Sequence, residues 1–198
     1  MRPAVFLDRD GTINEQMGYI NHLSRFQLLP RAAEAIRLLN DNKVPVVVVT
    51  NQSGLARGYF PESLLDAVHM KMDVELATVG AHIDGLYICP HHPEAKEPRF
   101  RVACDCRKPG TALFSRAARD LSIDLAKSYA VGDRWSDLQA AARCEARGIL
   151  VLTGYGRGDL AYVGPGQKVQ PVFVAEDLYA AVLWILADLK AKALGGDD

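Results

Sequence analysis

The sequence of 198 residues has almost no excess of either charge: 23 Lys and Arg against 24 Asp and Glu leave a net charge of −1. That balance removes any global electrostatic argument for a nucleic-acid or membrane-surface partner. Long apolar runs are missing too. The most apolar stretch, residues 178–189, is interrupted by Asp188 and keeps a helical period, so it does not read as a bilayer span. No secretory leader is expected, because Asp8-Arg9-Asp10 breaks the first apolar stretch at once. Cysteine is scarce: four residues without a secretion signal argue for metal ligation or buried thiols over a disulfide framework. No repeat or low-complexity linker divides the chain. The expectation is one cytoplasmic, monomeric domain over residues 1–198, large enough for a real core, with neither nucleic-acid nor membrane partners.

What is present is an alternation of strand and helix signals. Apolar runs predict strands at 5–7, 44–49, 86–88, 128–131 and 148–152, with Pro45 tolerable near a strand start. Helical spacing predicts helices at 31–40, 62–79, 111–121, 136–144 and 177–192, the last fraying into Gly195-Gly196 and two aspartates. Alternation of this kind implies a three-layer, Rossmann-like α/β fold with a mainly parallel sheet. Two connections are long enough to suggest function, residues 11–30 and 89–109.

Ligands of such sheets bind beyond the carboxyl ends of the strands. Three strands end there in polar groups: Asp8-Arg9-Asp10-Gly11-Thr12, Thr50-Asn51-Gln52-Ser53-Gly54 and Gly132-Asp133-Arg134. Asp8 and Asp10 sit two positions apart, where like charges on one strand face repel unless a cation or a reaction uses them.

The stretch at 89–109 reads CPHHPEAKEPRFRVACDCRKP. Cys89-x-His91 and Cys104-x-Cys106 form two chelating pairs, a closed Cys₃His set suited to structural, tetrahedral Zn²⁺, with His92 as the alternative to His91. Cys144, beside Ala140 and Ala141, reads as a small core residue. Met70, Met72, Tyr179 and Trp184 read as helix-face core packing, and His22, His69 and His82 receive no role. Gly154-x-Gly156-x-Gly158 lacks dinucleotide-site spacing and reads as a flexible loop.

The order DxDGT, strand-end Thr, lysine before a helix, and GDxxxD resembles the haloacid dehalogenase-like phosphatases across nearly the whole chain. The matching residues are Asp8, Asp10, Thr50, Lys108, Asp133 and Asp137. The resemblance implies that Asp8 is the nucleophile and Asp10 the general acid and base. Mg²⁺ would be held by Asp8, Asp133 and the Asp10 carbonyl, and Thr50 with Lys108 would hold phosphoryl oxygens. Asp137 is then a partner of Lys108 or of a metal-bound water, unless it is an ordinary N-terminal helix acid.

FLDRDGTIN, MGY, TNQSGLARGYF, CPHHP and CDCRKP resemble a narrower family, the D-glycero-D-manno-heptose 1,7-bisphosphate 7-phosphatases with the related histidinol-phosphatase domains. That family implies removal of a sugar 7-phosphate on the way to nucleotide-activated heptose for lipopolysaccharide. Histidinol phosphate is the alternative substrate; a non-catalytic zinc-binding module is the third reading, disfavoured by the intact acidic set. Substrate contacts carried over by motif are Arg9, Gln16, Met17, Gly18, Tyr19, Asn51, Gln52, Ser53, Arg107 and Arg134. The first two strands leave room for no large cap domain. Two departures touch the substrate rim: Lys108-Pro109 runs directly into Gly110-Thr111, and Gln16-Met17 replaces a more polar pair.

Overall fold

A computed structural model describes residues 1–194; the expected fraying of 195–198 lies outside the described residues. Six parallel strands form one sheet in the order β3-β2-β1-β4-β5-β6. These are β1 (Val5–Leu7), β2 (Val46–Asn51), β3 (Gly85–Cys89), β4 (Tyr129–Gly132), β5 (Arg147–Val151) and β6 (Phe173–Ala175). The helices are α1 (Ala32–Asp41), α2 (Ser53–Ala56), α3 (Glu62–Ala77), α4 (Ala112–Asp120), α5 (Trp135–Arg143), α6 (Gly156–Gly158) and α7 (Leu178–Leu194). Among the described residues, no helix is long and apolar enough to cross a membrane.

Side-chain alternation builds the layers. Val5 and Leu7 of β1 and Val46 and Val48 of β2 face α1, α3 and α7, where Ile36, Leu39, Met72 and Ile185 close the larger core. Phe6, Val47 and Val49 point the other way, onto Phe114 of α4 and Ala140 and Ala141 of α5. Both faces of the central strands are therefore buried, which is why they read as unbroken apolar runs. In α1 the buried residues are Ala32, Ala35, Ile36 and Leu39, the stripe the spacing predicts.

The differences from sequence expectation have local causes. β2 begins at Val46, not at residue 44, because Pro45 has no N–H for the ladder; Val46 N–H instead meets the Asp84 carboxylate at 2.8 Å. The strand β6 was absent from the expectation, being three residues long with no run to mark it. Met70 is exposed, on the outer face of α3, whereas Met72, two residues on, is fully buried. The expected loop around Gly154–Gly158 holds helical turns, α6 and the residues that follow it to Gly166.

Candidate active site

The carboxyl ends of β1, β2 and β4 open into a cleft of about 430 Å³. Asp8, Asp10, Thr50, Asn51, Gln52, Ser53, Lys108, Asp133 and Arg134 all line it, as do Gln16, Gly18, Tyr19 and Arg107 from the two long connections. The sheet accounts for the convergence, since β1 lies between β2 and β4 and all three end on one side.

At the floor, Lys108 is buried and donates to Asp8 Oδ1 (2.8 Å), Val49 O (2.7 Å) and Asp137 Oδ1 (2.7 Å). Two carboxylates, Asp8 and Asp137, therefore hold one ammonium, and Asp133 stands beside them, with an oxygen of each of the three within 4.8 Å of the others. The electrostatics follow from that count. Burial, then the nearby Asp137 and Asp10 charges, push Asp8 up to about 6 against the pull of Lys108. Burial, then Asp8 and Asp137, push Asp133 up to about 8. Burial works against the charged Lys108, yet Asp137 and Asp8 hold it well above the ordinary lysine value.

Asp133 fills a slot only glycines leave open. Gly11 has φ +87° and Gly154 φ +54°, and a Cβ on either would collide with Asp133 Oδ2. That oxygen accepts from Tyr155 N–H at 2.8 Å, while buried Oδ1 has no hydrogen-bond partner in the protein. A buried carboxylate oxygen without a donor, beside two more carboxylates, is a donor set for a hard divalent cation.

Asp10 stands apart from this cluster. Its carboxylate accepts from Arg9 Nη2 (2.9 Å), Asn14 Nδ2 (2.9 Å) and Gln52 Nε2 (2.7 Å). Burial raises its pKa, but Arg9 and these donors win and hold it below the usual carboxylate range. Thr50 Oγ1 accepts from the same Gln52 amide at 2.9 Å. Asn51 clamps the Lys108 backbone from both sides, donating to its carbonyl (3.3 Å) and accepting from its N–H (3.0 Å).

A second cluster stands beside the cleft. Cys89, His91, Cys104 and Cys106 bring four ligand atoms together. Sγ of Cys89 lies 3.0 Å from Cys106 and 3.8 Å from Cys104, and His91 Nδ1 lies 3.1 Å from Cys106. The Cys₃His chemistry and this compactness fit one tetrahedral Zn²⁺. His92 turns away: its Nδ1 accepts from Glu94 N–H, and its Nε2 lies 2.9 Å from the Arg57 guanidinium. Cys144 packs at the edge of the core under α4 and α5.

Residues 105–181 match a family model described as HAD-hydrolase-like. A D-glycero-beta-D-manno-heptose-1,7-bisphosphate 7-phosphatase of Escherichia coli O6:H1 is 46% identical over 153 residues, covering 77% of this chain and 80% of that protein. The D-glycero-D-manno-heptose-1,7-bisphosphate 7-phosphatase of Thermosynechococcus vestitus is 41% identical over 199 residues, covering 96% of this chain and 99% of that protein. The chain belongs to this phosphatase family. Among solved structures, the D,D-heptose 1,7-bisphosphate phosphatase of B. bronchiseptica, complexed with magnesium and phosphate, superposes with a TM-score of 0.83 at 38% identity. That match covers 95% of this chain and 99% of the other.

For this HAD-like phosphatase, two residues expected on the substrate side do not line the cleft. Arg9 is 1% exposed, sealed beneath Asp10, because its guanidinium is committed to that carboxylate and to His69. Met17 packs its side chain against the large core instead of the rim. Residues the sequence did not offer are Asn14 and His69 in the Asp10 network, and Tyr155, whose ring lies 4.5 Å from the Arg134 guanidinium at the cleft mouth. No local spacing marks His69 or Tyr155; both partners are distant in sequence.

Proposed function

We propose that this phosphatase removes the 7-phosphate of D-glycero-D-manno-heptose 1,7-bisphosphate through an aspartyl-phosphate on Asp8, supplying a precursor of nucleotide-activated heptose in the cytoplasm. The observation that carries the reading is the pairing, in one cleft, of the Asp8–Lys108–Asp133 floor with Arg107 at the rim, whose Nη1 has no protein partner. One anion site serves the reacting phosphate and the other suits the distal phosphate or sugar hydroxyls, where guanidinium geometry is apt.

The carboxylates of Asp8 and Asp133 and the backbone carbonyl of Asp10 would hold Mg²⁺. When bound, it neutralises the charge built up where a carboxylate meets a phosphate dianion. The entering phosphate dianion raises the pKa of the Asp10 carboxyl and loads it with a proton from solvent; Asp8 then attacks phosphorus as the bond to the sugar oxygen breaks, and Asp10 passes that proton to the oxygen. Lys108 and Thr50 hold the equatorial oxygens. Asp10, now a carboxylate, takes a proton from water as water attacks phosphorus; the bond to Asp8 breaks and inorganic phosphate leaves. The test is a substrate panel with added Mg²⁺: both heptose bisphosphate anomers, histidinol phosphate and a small generic ester. Preference for histidinol phosphate overturns the substrate reading. On that panel, Arg107→Ala should lower turnover of the bisphosphate far more than that of the generic ester; equal losses would assign Arg107 to the transfer itself.

Cys89, His91, Cys104 and Cys106 would hold Zn²⁺ without taking part in chemistry. Cys106 lies two residues before Lys108, so the cluster anchors the segment that carries Arg107 and Lys108. Displacing a catalytic charge by about 1 Å can cost on the order of 10²-fold in rate. Cys104→Ser should lose zinc, measured by metal analysis, and lose rate on that scale with its Mg²⁺ requirement unchanged. A folded, zinc-free, fully active variant would refute the anchoring role.

A further inference from the structure

Arg9 is the largest fully buried side chain among the described residues, and a guanidinium offers only donors. Nε and Nη2 are spent on Asp10 at 2.9–3.2 Å. Nη1 lies 3.0 Å from Nε2 of His69, which reaches in from α3 and is 7% exposed. Because Arg9 cannot accept, Nε2 must present its lone pair, leaving the ring neutral with its proton on Nδ1. Burial, then the Arg9 charge, hold the imidazole down to about 4. His69 is thus a fixed acceptor at neutral pH.

We propose that His69 is a positioning residue for phosphoryl transfer: it anchors Arg9, and Arg9 fixes the Asp10 carboxyl that meets the leaving oxygen. The proposal rests on the acid–base reading of Asp10. Without His69, Nη1 is buried with no acceptor, and the guanidinium turns to find one, carrying its hold on Asp10 with it. Asn14 and Gln52 still hold Asp10, so the damage is partial.

The leaving group separates positioning from general loss of structure. A sugar alkoxide must be protonated as it departs, whereas p-nitrophenolate leaves without help. The kcat/KM ratio reports only steps up to release of that group. His69→Leu should therefore lower kcat/KM for the sugar bisphosphate about 10-fold, a tenth of what a full 1 Å misplacement can cost. For p-nitrophenyl phosphate it should change by less than about 2-fold, since no proton is required of Asp10 there. His69→Gln, whose Oε1 takes the place of Nε2, should restore the bisphosphate rate. Should His69→Leu fail to fold, His69→Asn serves in its place, because the shorter amide cannot reach Nη1. Equal losses on both esters, or no rescue by glutamine, overturn the proposal. Asp10→Asn in the same assay should show the same discrimination, more strongly. If Asp10→Asn does not discriminate, the acid–base reading of Asp10 fails, a result distinct from failure at His69 alone.

Discussion

Asp8→Asn should abolish turnover, by roughly 10⁴-fold or more, the scale on which enzymes lose rate when a nucleophile is removed. The amide is nearly the size of the carboxylate, and its oxygen can still accept from Lys108, so packing at the cleft floor survives. It cannot form an acyl phosphate, and it offers one charge fewer to a cation. The measurement is steady-state turnover with Mg²⁺ together with thermal unfolding and zinc content. The expected result is no turnover, an unfolding temperature near that of the parent, and unchanged zinc. Substantial activity would sink the covalent mechanism, whatever the substrate.

Lys108→Met should have the second largest effect, on both activity and stability. The ammonium is buried against Asp8, Asp137 and the Val49 carbonyl. Methionine matches the stem but leaves carboxylates facing one another without their cation. Breaking a buried ion pair from one side costs about 3–5 kcal/mol. Loss of one preorganised donor to the phosphoryl group costs about 10²–10³ in kcat. A diagnostic accompanies these losses: because a bound cation offsets the bare carboxylates, Mg²⁺ should raise the unfolding temperature of the variant more than that of the parent. A variant as stable as the parent without Mg²⁺ would contradict the charge count at the floor.

Much of this site was legible in the chain because chemistry sits where strands end. Asp8, Thr50 and Asp133 each follow an apolar run directly, and parallel pairing brings those ends to one edge. The Cys₃His set was legible for another reason: two chelating pairs on one loop need no knowledge of the fold. Arg9 was misread because a motif records which residues recur and not which way they point. Arg9 lies beyond the end of β1, in the bend that follows it, and its second partner, His69, lies on α3 with nothing local to announce it. The Gly154–Gly158 stretch was misread for a similar reason. Gly154 admits a close approach to Asp133 from beyond the end of the neighbouring strand β5, and Gly156 packs against Val151 O, demands invisible in local spacing.

The order of strands in the sheet has a consequence for how the protein is made. Val5 pairs with Val46 on one side and with Tyr129 on the other. A ribosome adding about 5–20 residues per second makes Asp8 and β2 first, and β4 with Asp133 follows only well over a hundred residues after Asp8. Until then one edge of β1 has no neighbour, and the half-site can neither gather its cation nor close around a phosphate. The nascent chain is catalytically silent until β4 has emerged, and any truncated product ending before β4 should be inert and prone to pair its open edge with other chains.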